Sequence, residues 1–476
     1  MFHGREKELQ LIHDAIDSKR PELGIVYGRR RVGKSQLLAH AGNPRNTLYF
    51  EGLQQASQKE QLDHFTSQLA EQAKTPKAVA SNWREAFEAL THYIARRKCY
   101  VVFDEFPWMA AGRTELVALV KYFWDNHWKK NDRLTMVLCG SIAQFMTRHI
   151  VHSQALHNRK TFEFKLDSMP ASDARSFFGD YRSDFEIARF LMVFGGIPKY
   201  LEQINPKRTL AENLDRLCFR KNAFFVNEFD TIFKEQFKVA RTYSQIVRAL
   251  AKGSMSREEL AKKLKMKSGG GLSDYLETLE QADFVRVNSP VMLGGRGGKT
   301  RRVTLFDEWL RFYFQFVEPN LASIKLNSKR GLFDKLGSRS FDTYCGLAFE
   351  QLCLKNLPSI LKYMDIDPAD VVNVGPFFRQ GSRSATKSKS KTAGLQIDIL
   401  IHRRGDVLTL IECKFRTQPL GVSVISEVER KIKLLKVPRK FTVERILLSA
   451  GELTRDLEQT SFFHRVIGLE ALMAGD

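Results

Sequence analysis

The eight residues Gly28-Arg-Arg-Arg-Val-Gly33-Lys34-Ser35 have the types and spacing needed to bind a nucleoside triphosphate. The two glycines, Gly28 and Gly33, allow the backbone to curl so that successive N–H groups point at one phosphate. Lys34 can then reach the β- and γ-phosphates, and the Ser35 hydroxyl can bind Mg²⁺. An apolar run precedes this segment and a helical pattern follows it, which is the context that such a loop requires.

Two carboxylates, Asp104 and Glu105, follow the apolar run 101–103 and fit a second phosphate-binding element. Asp104 can hold Mg²⁺ through water, and Glu105 can polarise the water that attacks the γ-phosphate. Ser141 follows the next apolar run, 136–140, where it can either sense the γ-phosphate or only cap the following helix. Both interpretations of Ser141 remain open, and the set as a whole predicts ATP hydrolysis with ATP and Mg²⁺ as cofactors.

A second set of residues suited to chemistry lies near the C-terminus and comprises Asp398, Glu412 and Lys414. Asp398 begins one apolar run, and after the turn 403–406 another run ends in Glu412-Cys-Lys414. Because side chains alternate along a strand, Glu412 and Lys414 share one face. Two carboxylates on neighbouring strands can hold Mg²⁺ against a scissile phosphate, while the ammonium stabilises charge or positions the water. The alternative is a surface hairpin on which Glu412 and Lys414 only pair with each other.

Further polar residues surround this hairpin in the sequence. Glu350 lies on the predicted helix 346–354, and Lys431 and Lys433 lie on a predicted helix that follows the hairpin. The segment 381–394 is rich in Ser, Lys, Arg and Thr, so it cannot bury a core, and we expect a mobile basic loop. Such a loop either folds over a nucleic-acid backbone or has no role.

The elements that position the N-terminal residues follow from alternating apolar and amphipathic segments. Residues 1–165 alternate predicted strands with predicted helices, which indicates a mostly parallel sheet with nucleotide at the carboxyl ends of its strands. The predicted strands are 23–27, 47–50, 100–103 and 135–140, and the predicted helices include 59–73 and 83–96. Residues 166–237 are predicted to be helical and to form a lid that closes over the nucleotide.

Residues 238–318 show the element order of a winged helix: three helices, then two strands around a glycine-rich loop. Ser256 and Glu259 predict a capping box at the start of the second helix. Acidic residues on the third helix favour contact with the DNA backbone over base reading. The alternative is a winged helix that serves only as a protein-binding or lid module. The candidate DNA contacts are Lys265, Lys267, Ser273, Arg296, Lys299, Arg301 and Arg302.

The composition limits the class of protein and its partners. Lys and Arg number 75 against 54 Asp and Glu, so the formal net charge is +21, which favours a polyanionic partner such as DNA. No run approaches the roughly 18 apolar residues of a membrane span, and the N-terminus lacks a signal-peptide pattern. The six cysteines are scattered without a CxxC pair, which is typical of reduced core residues in a cytoplasmic protein.

Several motifs together resemble the archaeal-type ATPase family of the AAA+/STAND branch. They are Phe2-x-Gly4-Arg5-x-x-Glu8-Leu9, the glycine-rich loop, Phe103-Asp-Glu-Phe106 and Gly195-Gly-Ile-Pro198-Lys-Tyr-Leu. The resemblance covers roughly residues 1–320. It implies that the segment containing Arg5 flanks the adenine and that Pro198 packs near the base. It also implies that Arg159 helps to sense the γ-phosphate, although this chain has Asn-Arg where the family usually has Gly-Arg.

The C-terminal residues 319–476 resemble the PD-(D/E)XK restriction-endonuclease-like fold, in which archaeal-type ATPases often end. The family often has Glu where this chain has Gln396. We therefore expect an α/β protein with a P-loop NTPase parallel sheet, a helical lid, a winged helix and a C-terminal restriction-endonuclease-like domain. The expected function is an ATPase that controls DNA binding and Mg²⁺-dependent DNA cleavage. The alternatives are a STAND-like regulatory ATPase that does not cut, with possible homo-oligomers, and, less favoured, a processive motor.

Overall fold

The computed structural model of the chain describes residues 2–141, 145–237, 239–266, 270–289, 291, 301–326, 331–336, 338–379 and 393–475. The chain divides into two compact units. The first unit comprises Met1–Met169, Ile197–Lys199 and Ile232–Ala240, and the second comprises Pro170–Gly196, Tyr200–Thr231 and Arg241–Asp476. The expected lid, residues 166–237, is therefore shared between the two units.

The first unit is built on a five-stranded sheet in which every neighbouring pair is parallel, as the alternating pattern predicts. The strands are β1 (Glu22–Tyr27), β2 (Thr47–Glu51), β3 (Cys99–Asp104), β4 (Leu134–Gly140) and β5 (Phe162–Lys165), in the order β2-β3-β4-β1-β5. The helices are α1 (Glu6–Asp17), α2 (Lys34–Ala41), α3 (Gln58–Ala73), α4 (Trp83–Ile94), α5 (Phe106–Met109) and α6 (Glu115–Asn126). Residues of β3 and β4 are buried throughout, because helices cover both faces of a parallel sheet.

Aromatic side chains fill the space between this sheet and its helices. The ring of Phe65 on α3 stacks on Phe50 of β2 at 4.4 Å, and the ring of Phe87 on α4 stacks on Phe103 of β3 at 5.9 Å. All four residues are buried. This core fixes the strands whose carboxyl ends carry the candidate ATP-binding residues.

The chain is largely helical between residues 171 and 236, as predicted for the lid, and the helix 240–250 that follows lies in the predicted winged-helix segment. The helices are α7 (Ala171–Arg175), α8 (Asp184–Phe194), α9 (Pro198–Leu201), α10 (Leu210–Cys218), α11 (Glu228–Gln236) and α12 (Ala240–Leu250). Two more helices, α13 (Arg257–Leu264) and α14 (Gly270–Gln281), follow together with a three-stranded antiparallel sheet. Its strands are β6 (Met255–Ser256), β7 (Val285–Asn288) and β8 (Arg302–Leu305), in the order β6-β8-β7. The capping box of Ser256 and Glu259 is confirmed.

The C-terminal part of the second unit contains a mixed five-stranded sheet. The helices before it are α15 (Glu308–Phe312), α16 (Leu321–Leu326), α17 (Ser338–Lys355) and α18 (Leu357–Tyr363). The strands are β9 (Val371–Arg379), β10 (Leu395–Arg403), β11 (Val407–Lys414), β12 (Thr442–Ser449) and β13 (Arg465–Ile467), with helices α19 (Ser423–Leu435), α20 (Arg455–Glu458) and α21 (Glu470–Met473). β9, β10 and β11 pair antiparallel, whereas β11, β12 and β13 pair parallel.

Within the second unit, α17 packs against both the lid helices and the C-terminal sheet. The Tyr344 hydroxyl of α17 donates to the Met192 carbonyl of α8 at 2.7 Å. Phe415, directly after β11, stacks on Phe185 of α8 at 4.5 Å and packs on Phe349 of α17 at 5.3 Å. These contacts hold the end of β11, which carries Lys414, against two helices.

Three sequence expectations bear on the whole chain. All six cysteines are free and buried, as expected for reduced core residues. Within the described residues, no helix has the length and apolar character needed to cross a membrane. The candidate DNA contacts Lys267, Arg296 and Lys299, and residues 381–392 of the basic loop, lie outside the described residues.

Candidate nucleotide and metal sites

The phosphate-binding loop connects β1 to α2 and depends on two glycines. Gly28 has φ 153°, and a Cβ there would lie 2.3 Å from the Leu166 carbonyl oxygen, so only glycine fits. Gly33 has φ 94° at the start of α2. A Cβ on Gly33 would lie 3.8 Å from Cγ of Pro198, which therefore lies beside the loop. The structure thus brings Gly33 of the predicted loop next to the proline that the resemblance places near the base.

The Lys34 side chain lies inside this loop. Its ammonium donates to the Gly28 carbonyl at 3.1 Å and to the Arg29 carbonyl at 2.9 Å, and the residue is buried. Carbonyl oxygens are weaker partners for an ammonium than phosphate oxygens, because charged pairs make the stronger hydrogen bonds. Lys34 is therefore held where it can exchange these carbonyls for the phosphates of a nucleotide.

Asp104 lies at the end of β3 and is tied to Tyr49 of β2. The Tyr49 hydroxyl donates to Oδ2 of Asp104 at 2.5 Å, and the Glu105 backbone N–H donates to Oδ1 at 2.9 Å. Burial, together with the charge of Asp104, raises the pKa of Tyr49, so the phenol keeps its proton and remains a donor; Ser35 also hydrogen-bonds to it. Tyr49 was not predicted, although the alternation of Leu48 and Phe50 with Tyr49 in β2 could have placed it on the polar face.

Replacing Tyr49 by phenylalanine should destabilise the first unit, because buried Asp104 would lose its hydroxyl donor. We expect a cost of about 1–3 kcal/mol, seen as a lower melting temperature of the nucleotide-free protein. Tyr100→Phe is the matched control, since the buried Tyr100 hydroxyl on β3 has no hydrogen-bond partner among the described residues. Equal losses in the two variants would contradict a specific role for the Tyr49–Asp104 bond.

Glu105 follows β3 in a left-handed backbone conformation, with φ 49° and ψ 40°. Non-glycine residues adopt this region at a cost of about 1–2 kcal/mol, and such strain concentrates at functional sites. The Ser141 hydroxyl donates to Oε2 of Glu105 at 2.7 Å, and Gln236 Nε2 donates to the Ser141 carbonyl at 3.0 Å. The Ser141 hydroxyl thus contacts Glu105. Both interpretations of Ser141, as a γ-phosphate sensor or as a helix cap, stay predictions, because the residues that directly follow it, 142–144, lie outside the described part.

A further carboxylate, Glu51, lies at the end of β2 and was not predicted. In the sheet register Glu51 is opposite Asp104. Burial and the charges of Asp104 and Glu105 raise the pKa of Glu51. Glu51 therefore lies close enough to both predicted acids to interact with them electrostatically. The last residue of β2 could have been singled out because it aligns with the end of β3, where Asp104 lies.

Arg5 and Arg159 contact the protein rather than standing open to a ligand. Arg5 donates to the carbonyl of Asp167 at 2.5 Å and to that of Val32 at 3.4 Å, so it braces the phosphate-binding loop. Arg159 forms a bidentate pair with Asp125 of α6, at 2.7 and 2.8 Å. Arg159 thus has an ion pair within the domain, and the γ-phosphate contact that the resemblance implies stays a prediction.

The sequence assigned no role to the three consecutive arginines Arg29, Arg30 and Arg31. Arg30 pairs with Glu235 at 3.1 Å, and Arg29 is buried. Glu235 and Gln236 are the last two residues of α11. Glu235 contacts the phosphate-binding loop through Arg30, and Gln236 contacts Ser141, directly after β4. This segment is one of the parts of the predicted lid that belong to the first unit.

The predicted DNA contacts that are described fall into two groups. Lys265 and Arg301 are exposed. Ser273 accepts from Arg257 at 3.0 Å. Arg302 donates to the Ser254 carbonyl at 2.5 Å, and its guanidinium lies 5.4 Å from the centre of the Phe378 ring on β9. Arg302 thus makes contacts inside the second unit while its side chain is 23% exposed, and its contact with DNA stays a prediction.

The C-terminal residues Asp398, Glu412 and Lys414 come together on the antiparallel pair β10 and β11. Oδ2 of Asp398 accepts the Cys413 backbone N–H at 2.9 Å, which ties β10 to the β11 residue that follows Glu412. Lys414 Nζ lies 2.8 Å from Oε1 of Glu412 and 2.9 Å from Oε2 of Glu427 on α19. Glu412 does pair with Lys414, as the alternative of a surface hairpin predicted. The pair is not on the surface, however, since the Glu412 side chain is 1% exposed.

Lys431 of α19 completes this cluster. Its ammonium donates to both carboxylate oxygens of Glu412 at 2.7 Å and lies 3.9 Å from Oδ1 of Asp398. The sequence placed Lys431 on a helix near the hairpin but did not predict this contact. The periodicity of α19 could have found it, because Val424, Val428, Lys431 and Leu435 share the buried face.

The carboxylates of this cluster oppose one another's ionisation. Burial and the charge of Glu412 raise the pKa of Asp398 to about 6. Burial and the charge of Asp398 raise the pKa of Glu350 on α17 to about 8, and Gln396 donates to Glu350 at 3.2 Å. These raised pKa values indicate that Lys414 and Lys431 compensate the negative charge of the cluster only in part. A divalent cation would balance the remaining negative charge.

The donor set suits Mg²⁺ better than a metal that requires a full protein cage. No group of three or more His, Cys, Asp or Glu side chains arranged to hold a metal occurs among the described residues. Mg²⁺ commonly takes one or two carboxylates and keeps several waters. Asp398 and Glu412 supply such a pair, so the residues present fit hydrated Mg²⁺.

Two family models match the chain. Residues 2–204 match a family described as an ATPase domain predominantly from Archaea. Residues 313–431 match a family described as archaeal and bacterial proteins of unknown function. The uncharacterized protein MJECL04 of Methanocaldococcus jannaschii is 26% identical over 382 residues, covering 80% of this chain and 82% of the relative.

Solved structures show looser similarity. The Walker-type ATPase of Pyrococcus abyssi is 18% identical with a TM-score of 0.47, covering 66% of this chain and 96% of its own. The ORC2 protein of Aeropyrum pernix, in its ADPNP–ADP complexes, is 13% identical with a TM-score of 0.41, covering 68% of this chain and 95% of its own. The family match coincides with the parallel sheet and its loop, and residues 2–204 of this chain are therefore similar to archaeal-type ATPase domains.

Proposed function

We propose that the protein hydrolyses ATP and acts on DNA, and that its C-terminal domain is a Mg²⁺-dependent nuclease of the PD-(D/E)XK kind. The observation that carries the nuclease assignment is the convergence of Asp398, Glu412 and Lys414 on two paired strands, where Lys414 contacts Glu412 and Asp398 accepts the N–H of the residue between them. The ATPase domain supports the ATP-dependent part of the proposal. DNA as the partner is supported by the net charge of +21.

The ATP-binding residues would divide the work as follows. Lys34 and the loop N–H groups between Gly28 and Gly33 would hold the phosphates. Ser35 and Asp104 would hold Mg²⁺, which balances phosphate charge when bound. Glu105, oriented by the Ser141 hydroxyl, would accept a proton from the attacking water. Arg5 would keep the loop in place, and Pro198 would lie beside the nucleotide.

In the nuclease domain, Asp398 and Glu412 would hold Mg²⁺, which polarises the scissile phosphate when bound. Burial opposes ionisation of Lys414, but the charges of Glu412 and Glu427 outweigh it and raise the pKa of Lys414. Lys414 would therefore be an ammonium at neutral pH, which stabilises developing charge and orients water by donating hydrogen bonds but does not accept its proton. Glu350, close to Asp398, would be an accessory acid.

The residues 238–318 would act as a DNA-binding winged helix. The order of three helices and an antiparallel sheet β6-β8-β7 supports this assignment. Lys265 and Arg301 are the described candidates with exposed side chains, so they would contact the DNA backbone. Arg302 would instead hold the wing strand against β9.

Two observations favour a second function, a regulatory ATPase whose C-terminal domain binds DNA or a partner without cutting. Both oxygens of Glu412 are occupied by Lys431, and Gln396 replaces the acidic residue that the resembling family often has. A site neutralised by its own lysines could be structural. Oligomerisation driven by ATP would fit this second function.

The proposal is tested by incubating the full chain and its Lys34→Ala variant with supercoiled, linear and single-stranded DNA in Mg²⁺, with and without ATP. We expect the wild type to cut at least one substrate and Lys34→Ala to lose ATP binding and any ATP-dependent part of the cutting. Lys59→Ala, an exposed lysine on α3, is the matched control. If no substrate is cut while DNA binding still responds to ATP, the nuclease assignment fails and the regulatory function replaces it.

A further inference from the structure

Lys431 is a buried cation whose position no step of the proposed chemistry explains. Its side chain is 8% exposed, and the Glu412 side chain that it contacts is 1% exposed. The ammonium donates to both oxygens of Glu412 at 2.7 Å and lies 3.9 Å from the nearest oxygen of Asp398. A cation shared by Asp398 and Glu412 would occupy this same region.

The two lysines of the cluster have different relationships to the carboxylates. Lys414 lies between Glu412 and Glu427, at 2.8 and 2.9 Å. Lys431 lies between Glu412 and Asp398, the pair proposed to hold the metal. Replacing Lys414 therefore removes a donor that contacts only Glu412 of the proposed metal ligands. Replacing Lys431 removes the positive charge that lies between Asp398 and Glu412.

A second acceptor for Lys431 lies one helical turn earlier on α19. Glu427 is four residues before Lys431, and the shortest distance between them is 3.5 Å. Lysine has a long flexible side chain, so its ammonium can move from Glu412 to Glu427 without any change in the helix. The cluster thus contains both a position in which Lys431 neutralises the metal pair and an acceptor that can receive it.

We infer that Lys431 is a built-in counter-ion that holds Asp398 and Glu412 together without metal and that a divalent cation displaces toward Glu427. This inference rests on the proposed metal-dependent function of the same residues. A buried carboxylate needs a cation, because an unpaired buried charge is strongly destabilising. Lys431 meets that need when metal is scarce, and it weakens metal binding because the two cations compete for Glu412.

The test measures Mn²⁺ binding to the nucleotide-free full chain from the EPR signal of free Mn²⁺. Lys431→Met should bind Mn²⁺ about tenfold more tightly than the wild type, because a competing buried charge is gone. Lys433→Met, an exposed lysine on the same helix, should bind like the wild type, and Asp398→Asn should lose the site. Without metal, Lys431→Met should melt at a lower temperature than the wild type, and saturating Mn²⁺ should remove that difference.

Glu427→Gln provides a readout of opposite sign that does not depend on the folding of Lys431→Met. Without its second acceptor, Lys431 stays on Glu412, so Mn²⁺ affinity should fall by about threefold or more. Equal or weaker Mn²⁺ binding by Lys431→Met, or unchanged or tighter binding by Glu427→Gln, would overturn the inference while leaving the nuclease proposal intact. If neither the wild type nor Lys431→Met binds Mn²⁺, both the inference and the metal-dependent function fail.

Discussion

Replacing Glu105 by glutamine should lower ATP turnover by about 10²–10⁴-fold while ATP binding persists. Glutamine has the shape of glutamate and can still accept the Ser141 hydroxyl hydrogen bond, so the local structure should remain. The amide cannot accept a proton from the attacking water, and that is the step expected to fail. Steady-state ATP hydrolysis and the binding of a fluorescent ATP analogue, measured on the same protein, separate the two effects.

Glu51 provides the matched control for Glu105. It is a carboxylate at the end of the neighbouring strand, opposite Asp104 in the sheet register, and its raised pKa shows that it senses the charges of Asp104 and Glu105. Glu51→Gln should leave turnover within about threefold of the wild type, as expected for a residue outside the chemical step. If Glu51→Gln lost turnover and Glu105→Gln did not, the role of activating water would pass to Glu51.

The sequence was sufficient for features that local pattern encodes. A buried run of apolar residues between turn residues predicted β1 to β4, and the motif after β1 predicted the loop where Gly28 must be glycine. Period-two alternation predicted that Glu412 and Lys414 share a face, and they lie 2.8 Å apart. Each of these depends on neighbours within a few positions in the chain. Strand β5 was missed because its four residues are only partly buried and carry no strong apolar run.

Charged partners distant in the chain could not be predicted from such patterns. Arg159 pairs with Asp125, 34 positions earlier, and Arg302 packs against Phe378, which lies in another sheet. An exposed arginine and an internally paired arginine look alike in a sequence, because the difference lies in where the partner folds. The same holds for Lys431, whose contact with Glu412 depends on how α19 packs on the C-terminal sheet.

Asp398→Asn should abolish DNA cleavage and at the same time stabilise the metal-free protein at alkaline pH. Loss of a metal-binding carboxylate should reduce cleavage by about 10³-fold or more. Asparagine keeps an oxygen that can accept the Cys413 N–H, so the contact between β10 and β11 should survive. Cleavage of the best substrate and thermal melting in EDTA are the two measurements.

The stability effect follows from the sign of the pKa shift. Burial and Glu412 raise the pKa of Asp398 from its ordinary 3.8 to about 6, so the folded protein binds this proton more tightly than the unfolded chain. The resulting stability is fully present below pH 3.8 and is lost as pH rises through about 6. At pH 8 the wild type therefore carries an unfavourable buried charge that Asp398→Asn lacks. We expect the variant to melt about 2 °C or more above the wild type at pH 8, and the difference to shrink toward pH 5.

Asp406→Asn is the control for Asp398→Asn, because it changes another aspartate in the same hairpin. Asp406 lies in the turn between β10 and β11 with φ 58°, a conformation that asparagine also tolerates, and its exposed pair with Lys440 contributes little. Cleavage by Asp406→Asn should equal that of the wild type, and its melting temperature should not rise at pH 8. Cleavage retained by Asp398→Asn would remove Asp398 from the metal site. Asp398→Asn could also lose cleavage and melt at a lower temperature than the wild type at pH 8. That result would show that Asp398 acts by holding the hairpin together, because a metal-binding carboxylate repelled by Glu412 must destabilise the metal-free fold.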